Sequence, residues 1–151
     1  MILLLDTGLL GQLCHPARKT SRPLGKWLSN LLATGDGSLQ VVLPEICDYE
    51  LRRKLLHLVA KGQAHQRSVQ RLDDLGRLFE YLPIDKDMLR KAGELWSQAR
   101  LQGQPTAAEP ALDGDVILAA QAISIGEIIV TSNRKHLSRF VATRDWMEIV
   151  R

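Results

Sequence analysis

Residues 2–5 (Ile-Leu-Leu-Leu) form an unbroken apolar run that stops at Asp6. A short run of this kind predicts a strand buried on both faces, the usual condition in a parallel sheet under helices. Residues 40–43 (Gln-Val-Val-Leu), closed by Pro44, predict a second strand. Residues 81–84 predict a weaker third, placed at a sheet edge by Pro83. Residues 128–131 (Ile-Ile-Val-Thr) are the clearest strand pattern, and residues 147–150 supply a fifth.

Between these runs the apolar period lengthens to that of a helix. Segments 7–15 and 22–34 come first. From Glu45 onwards Cys47, Leu51, Leu55 and Leu58 share one stripe. Residues 67–79 carry Val69, Leu72, Leu75 and Phe79, and residues 87–101 carry Leu89, Ala92, Leu95, Trp96 and Ala99. Residues 115–125 carry Val116, Ala119, Ala120 and Ile123. Strand and helix alternate, with a helical hairpin after the second strand. That order predicts an α/β fold of three layers, a mostly parallel five-stranded sheet with helices on both faces. Residues 102–114, rich in Gly, Pro and Ala, are read as the one long loop.

The chain has 151 residues, 45% hydrophobic and 25% charged, enough for one domain over 1–151 with a core that needs no disulfide. Its net charge of +3 is a mild bias towards polyanionic partners and not a strong signal for nucleic acid. Cys14 and Cys47 are far apart and outside any paired motif, so both are read as reduced, buried thiols of a cytoplasmic protein. The N-terminus lacks the pattern of a signal peptide, and no apolar run is long enough to span a membrane. His15, His57, His65 and His136 have no zinc-like spacing, and Trp27, Trp96 and Trp146 are read as core residues.

In an open parallel sheet, ligands bind beyond the carboxyl ends of the strands. Asp6 directly follows the first strand, Ser132 and Asn133 follow the 128–131 strand, and Glu50 lies early in the helix after the second. Asp113 and Asp115 open a helix at the same rim on this reading. Clustered carboxylates repel one another until protons or cations neutralise them. Oxygen-only donors select hard cations, Mg²⁺ or Mn²⁺, which activate water in phosphodiester cleavage. Arg52, Arg53 and Lys54 on one side, and Arg134, Lys135 and Arg139 on the other, flank the rim where phosphates would lie.

The segments ILLLDTGLL, LPEICDYELRRKL, LDGDVILAAQA and IIVTSN resemble, in order, the acidic motifs of PIN domains of the VapC toxin type. On that pattern Asp6, Glu50, Asp115 and Asn133 match the four site positions. The chain departs from it at Thr7 and Gly8, where relatives often carry Asn or Ser, and at Asn133, often Asp. Asp113, Glu45 or Asp48 are candidates for the carboxylate that Asn133 lacks. The resemblance implies a PIN-like fold and a Mg²⁺- or Mn²⁺-dependent ribonuclease acting on RNA, with catalytic Asp6, Glu50, Asp113 and Asp115. It also implies an antitoxin partner covering the active rim, and a homodimer.

Structural roles compete at each position. Asp6 can cap the helix after the first strand, Asp113 with Gly114 can cap the next, Asp115 suits a first helical turn, and Asn133 can cap the turn into 134–137. Asp6-Thr7-Gly8 is also the tripeptide of aspartic proteases, but those are β-rich and this chain carries long helices. The alternative from another class is a non-catalytic PIN-like module that binds nucleic acid or protein.

Overall fold

The computed structural model describes residues 1–34, 37–103, 109–132 and 134–149. In chain order these run β1 (Ile2–Leu5), α1 (Thr7–Leu13), α2 (Arg22–Thr34), β2 (Gln40–Pro44), α3 (Glu45–Ala60), α4 (Gln66–Leu78) and β3 (Glu80–Leu82). Then follow α5 (Lys86–Leu101), α6 (Glu109–Ile125), β4 (Ile129–Thr131), α7 (Arg134–Leu137) and β5 (Thr143–Asp145). A 3₁₀ turn, Trp146–Glu148, comes after β5.

Among the described residues five strands form one sheet in the order β3-β2-β1-β4-β5, every neighbouring pair parallel. Leu3 lies opposite Val41 on one side of β1, and Leu5 opposite Val130 on the other. The chain thus starts at the centre, steps outward through β2 to β3, then returns to the far side of β1 for β4 and β5. Right-handed crossovers place α1 to α4 on one face and α5 and α6 on the other. The three-layer α/β arrangement expected from the sequence is the observed one.

β1 and β4 are the strands between which the direction of winding reverses. Their carboxyl ends splay apart there and leave the crevice in which open α/β sheets bind ligands. Leu3, Leu4 and Leu5 are fully or almost fully buried, the condition the unbroken apolar run predicts. β3 lies at an edge, as expected from the sequence, although Pro83 follows the strand and is not part of it. One large core cluster joins β1, β2 and β4 to α1, α2, α3 and α4 and, through Leu118 and Ala122, to α6, and a second joins α5 to α6.

Four expectations are corrected. The fifth strand is Thr143–Asp145, not 147–150. An edge strand needs few apolar residues, and the apolar ones that follow are used otherwise. Ile149 enters the core, Trp146 meets Trp27 at a tilt with ring centroids 5.5 Å apart, and Met147 is 66% exposed. The helix expected from 115 begins at Glu109, because a proline in the first turn costs no hydrogen bond. Part of the long loop 102–114 is therefore helix, while residues 104–108 lie outside the described residues. Finally, Leu89 and Ile123, read as core positions, are 52% and 38% exposed. The inward face of α6 is instead built on Leu112, Val116, Leu118 and Ala119 to Ala122. Trp27, Trp96 and Trp146 pack against the core from partly buried positions.

Candidate metal centre at the β1–β4 edge

Asp6 is the first residue beyond β1. Its backbone N–H continues the ladder by donating to the Val130 carbonyl at 3.2 Å. Its side chain caps α1, with Oδ1 accepting from the Leu9 N–H at 2.8 Å, while Oδ2 accepts from the Thr131 hydroxyl. Asp6 is 8% exposed, and burial raises its pKa despite the lowering effect of the Thr131, Leu9 and Gly8 donors. The cap and the site position coincide: capping aims this carboxylate at the switch point.

Glu50 reaches the same place from the second turn of α3. Its Oε1 accepts from the Thr7 hydroxyl at 2.9 Å, which ties α3 to the first residue of α1. On its other side lies the backbone of α6 at Gly114, where an added Cβ would stand 2.5 Å from Glu50 Oε2. Asp115, the next residue of α6, has its pKa raised from 3.8 to about 6. Burial is the main cause, Glu50 and Asp6 add to it, and the charges of His136 and Arg139 oppose it.

Asp6, Glu50 and Asp115 line one cavity of about 230 Å³, together with Thr7, Gly8, Ser132 and His136. Asp113 does not join them. Residues two apart on a helix point to nearly opposite sides. Asp113 therefore lines a neighbouring cleft with Tyr49, Glu50, Arg53 and Gly114. Nor does it open the helix as a cap, since α6 has begun at Glu109. Asn133 lies outside the described residues, and its neighbour Ser132 faces the cavity.

Other candidates are committed to the fold. Glu45 Oε2 accepts from the Ile84 N–H at 2.6 Å, which pins the start of α3 to the exit of β3. Asp48 accepts from the Tyr81 hydroxyl and from Arg52 Nε, each at 2.9 Å. Neither is placed to replace a carboxylate at the cavity. Arg134 pairs with Glu148 at 3.1 Å. Cys14 and Cys47 are free and buried, as expected.

Four contributors escaped the sequence analysis. Thr131 orients Asp6, Gly114 admits Glu50, and His136 borders the cavity from α7, a helix too short for periodicity to reveal. Gln121 is fully buried in α6, its Nε2 donating to the Leu82 carbonyl at 2.7 Å and its Oε1 accepting from the Ile46 N–H at 3.4 Å. A lone polar residue in the run Ala-Ala-Gln-Ala was the one available signal.

The donor set suits a hard cation. Carboxylate oxygens dominate it, and the upward shift at Asp115 is the repulsion and desolvation that a cation would relieve. Among the described residues, no three His, Cys, Asp or Glu side chains already stand at ligating distance from a common point. The Thr7, Leu9 and Thr131 hydrogen bonds hold Glu50 and Asp6 to the walls of the cavity.

Comparison with known proteins agrees with this geometry. The PIN domain model matches residues 3–141, and the chain belongs to the PIN domain family. PIN domains are in general nucleases that use divalent metal ions. Among solved structures, the chain resembles VapBC-1 from nontypeable Haemophilus influenzae (TM-score 0.72, 19% identity, 98% of this chain and 100% of that one). It also resembles FitAcB from Neisseria gonorrhoeae (TM-score 0.71, 23% identity, 97% and 99%). VapBC2 from Rickettsia felis, solved bound to a promoter DNA fragment, is a third (TM-score 0.71, 18% identity, 97% and 99%). A search of curated proteins finds no match. No described helix is long and apolar enough to cross a membrane.

Proposed function

We propose that this chain is one PIN domain over 1–151 that cleaves RNA phosphodiesters as a VapC-type toxin. The observation that carries the reading is the convergence of Asp6, Glu50 and Asp115, from three separate elements, on one cavity at the switch point. Those three residues would hold Mg²⁺ or Mn²⁺, with Asn133 completing the set and Asp113 bordering Glu50 from the adjoining cleft. The ion, when bound, supplies charge for the phosphoryl oxygens and acidifies a water.

The protein's own groups prepare the place. The Leu9 N–H and the Thr131 hydroxyl fix both oxygens of Asp6, and Thr7 fixes Glu50. Arg139 brings positive charge to the Asp115 side of the cavity, where a phosphate would need it, and His136 lines the cavity there. Solved neighbours in toxin–antitoxin assemblies support one further part of the reading, that the protein is held in check by an antitoxin. The reading also makes the protein a cytoplasmic homodimer.

The test is cleavage of a panel of structured and single-stranded RNAs by the purified full chain with Mn²⁺ or Mg²⁺. Asp6→Asn, Glu50→Gln and Asp115→Asn should each reduce the rate on the order of 100-fold or more, as loss of a metal ligand does. Unchanged cleavage by the pure, folded variants would overturn the site. A folded wild type that binds RNA without cutting it would establish the non-catalytic module instead.

A further inference from the structure

Arg52, Arg53 and Lys54 are consecutive on α3, and a helix turns about 100° per residue, so they fan out in three directions. Arg52 turns to α4, pairing with Asp73 at 2.8 Å and with Asp48. Arg53 lies over the Tyr49 ring at 5.1 Å, in the cleft shared with Asp113. Lys54 enters a different cleft of about 330 Å³ between α1, α3 and the start of α4.

That cleft adjoins the acidic cavity, with Thr7, Gly8 and Glu50 lining both. Beyond Glu50 its character inverts. Lys54, Arg18, His15 and His65 line it, and Glu50 is its only acid among the described residues. Neither Arg18 nor Lys54 forms an ion pair among the described residues, in contrast to Arg52. His15 is held by Ser68, Nδ1 to Oγ at 2.9 Å, and meets His65 edge-on at 5.7 Å. Burial, and then Arg18, His65 and Lys54, lower the pKa of His15, as groups crowded into one confined space do.

We propose that this cleft is the track for the RNA strand next to the cut, with Lys54 and Arg18 holding the flanking phosphates. The inference rests on the nuclease reading above. Lys54 lies four residues, just over one helical turn, from Glu50 on α3, about 6 Å along the axis, so a strand whose scissile phosphate sits at Glu50 presents its neighbour to Lys54. Gln12, Thr20 and Ser21 add polar groups to a lining that also carries Leu51, Leu55 and Leu58. It is the pair of cations, Arg18 and Lys54, that favours a sugar–phosphate chain over an apolar segment.

The experiment compares the full-length wild type with R18A/K54A and with the surface control R77A/K91A. Binding of a fluorescent single-stranded RNA is measured in EDTA across a salt series, and cleavage kinetics are measured with Mn²⁺. R18A/K54A should bind about 10-fold more weakly, and its dependence of log affinity on log salt should fall by about 1–2. KM should rise by a similar factor, with kcat changed less than about two-fold. R77A/K91A should match the wild type.

A folded R18A/K54A protein that keeps wild-type affinity, salt slope and KM would overturn the track while leaving the nuclease reading intact. Wild-type RNA affinity with lost binding of poly-glutamate would overturn it in favour of an acidic polypeptide. A wild type that neither binds nor cuts any RNA would overturn the nuclease reading itself.

Discussion

Gly114 leaves room for the Glu50 carboxylate: a Cβ at residue 114 would lie 2.5 Å from Oε2 and 2.8 Å from Cδ. The contact joins α6 to α3 across the carboxyl edge of the sheet, and Asp115 is the next residue along. A glycine costs a helix about 1 kcal/mol relative to alanine, so its place in α6 calls for a packing reason, and Glu50 is that reason.

Gly114→Ala should therefore displace Glu50 from the cavity. Helix propensity and clash oppose each other in stability, so the melting temperature should move by only a few degrees. Mn²⁺ affinity, followed by calorimetry, should fall on the order of 10-fold or more. Unaltered Mn²⁺ binding would show that the cavity tolerates the displacement.

Asp115→Asn should stabilise the metal-free protein at neutral pH. The folded pKa, about 6, stands above the ordinary aspartate value of 3.8, so the folded state holds this proton more tightly. Well below pH 3.8 both states are protonated and no penalty exists. As pH rises from there to about 6 the unfolded chain ionises first and stability falls, after which the penalty is complete. For a partly exposed group it amounts to roughly 1–2 kcal/mol, or about 2–8 °C in melting temperature. Thermal melts at pH 4.5 and 7.5 check it: the variant should gain at pH 7.5 far more than at pH 4.5. Added Mn²⁺ should stabilise the wild type and not the variant.

Gln121→Leu conserves volume but leaves the Leu82 carbonyl and the Ile46 N–H without their partner. A loss of about 1–3 kcal/mol is expected in urea unfolding. Since Gln121 ties β3 and α3 to α6, a neutral result would mean that water replaces both bonds.

Both cysteines should resist modification in the native state. Burial pushes the Cys14 thiol up to about 12 and raises that of Cys47 as well, so neither supplies thiolate near neutral pH. A thiol-reactive dye at pH 8 should label neither until guanidinium is added, when it should label both.

Much of this architecture is legible in the residue pattern. The leucines of β1, the Val-Val-Leu of β2 and the apolar stripes of α3 and α4 announce their elements, because burial on one face or two imposes the period directly. β5 was misplaced because an edge strand of Thr-Arg-Asp carries almost no apolar signal. α6 was read short because Pro110 resembles loop composition at the one place in a helix where proline is harmless.

What the sequence by itself determined was the order of strands and helices, and with it the arrival of Asp6, Glu50 and Asp115 at one edge of the sheet. Chain connectivity and apolar periodicity suffice for that. Tertiary structure alone decided which polar groups share a cavity. Asp113 and Asp115 differ by two residues and point into separate clefts, Arg52 and Lys54 likewise, and Thr131 reaches Asp6 across 125 residues of chain. Those outcomes depend on the rotation of each helix about its axis and on how closely α6 approaches α3, quantities set by packing between elements distant in sequence.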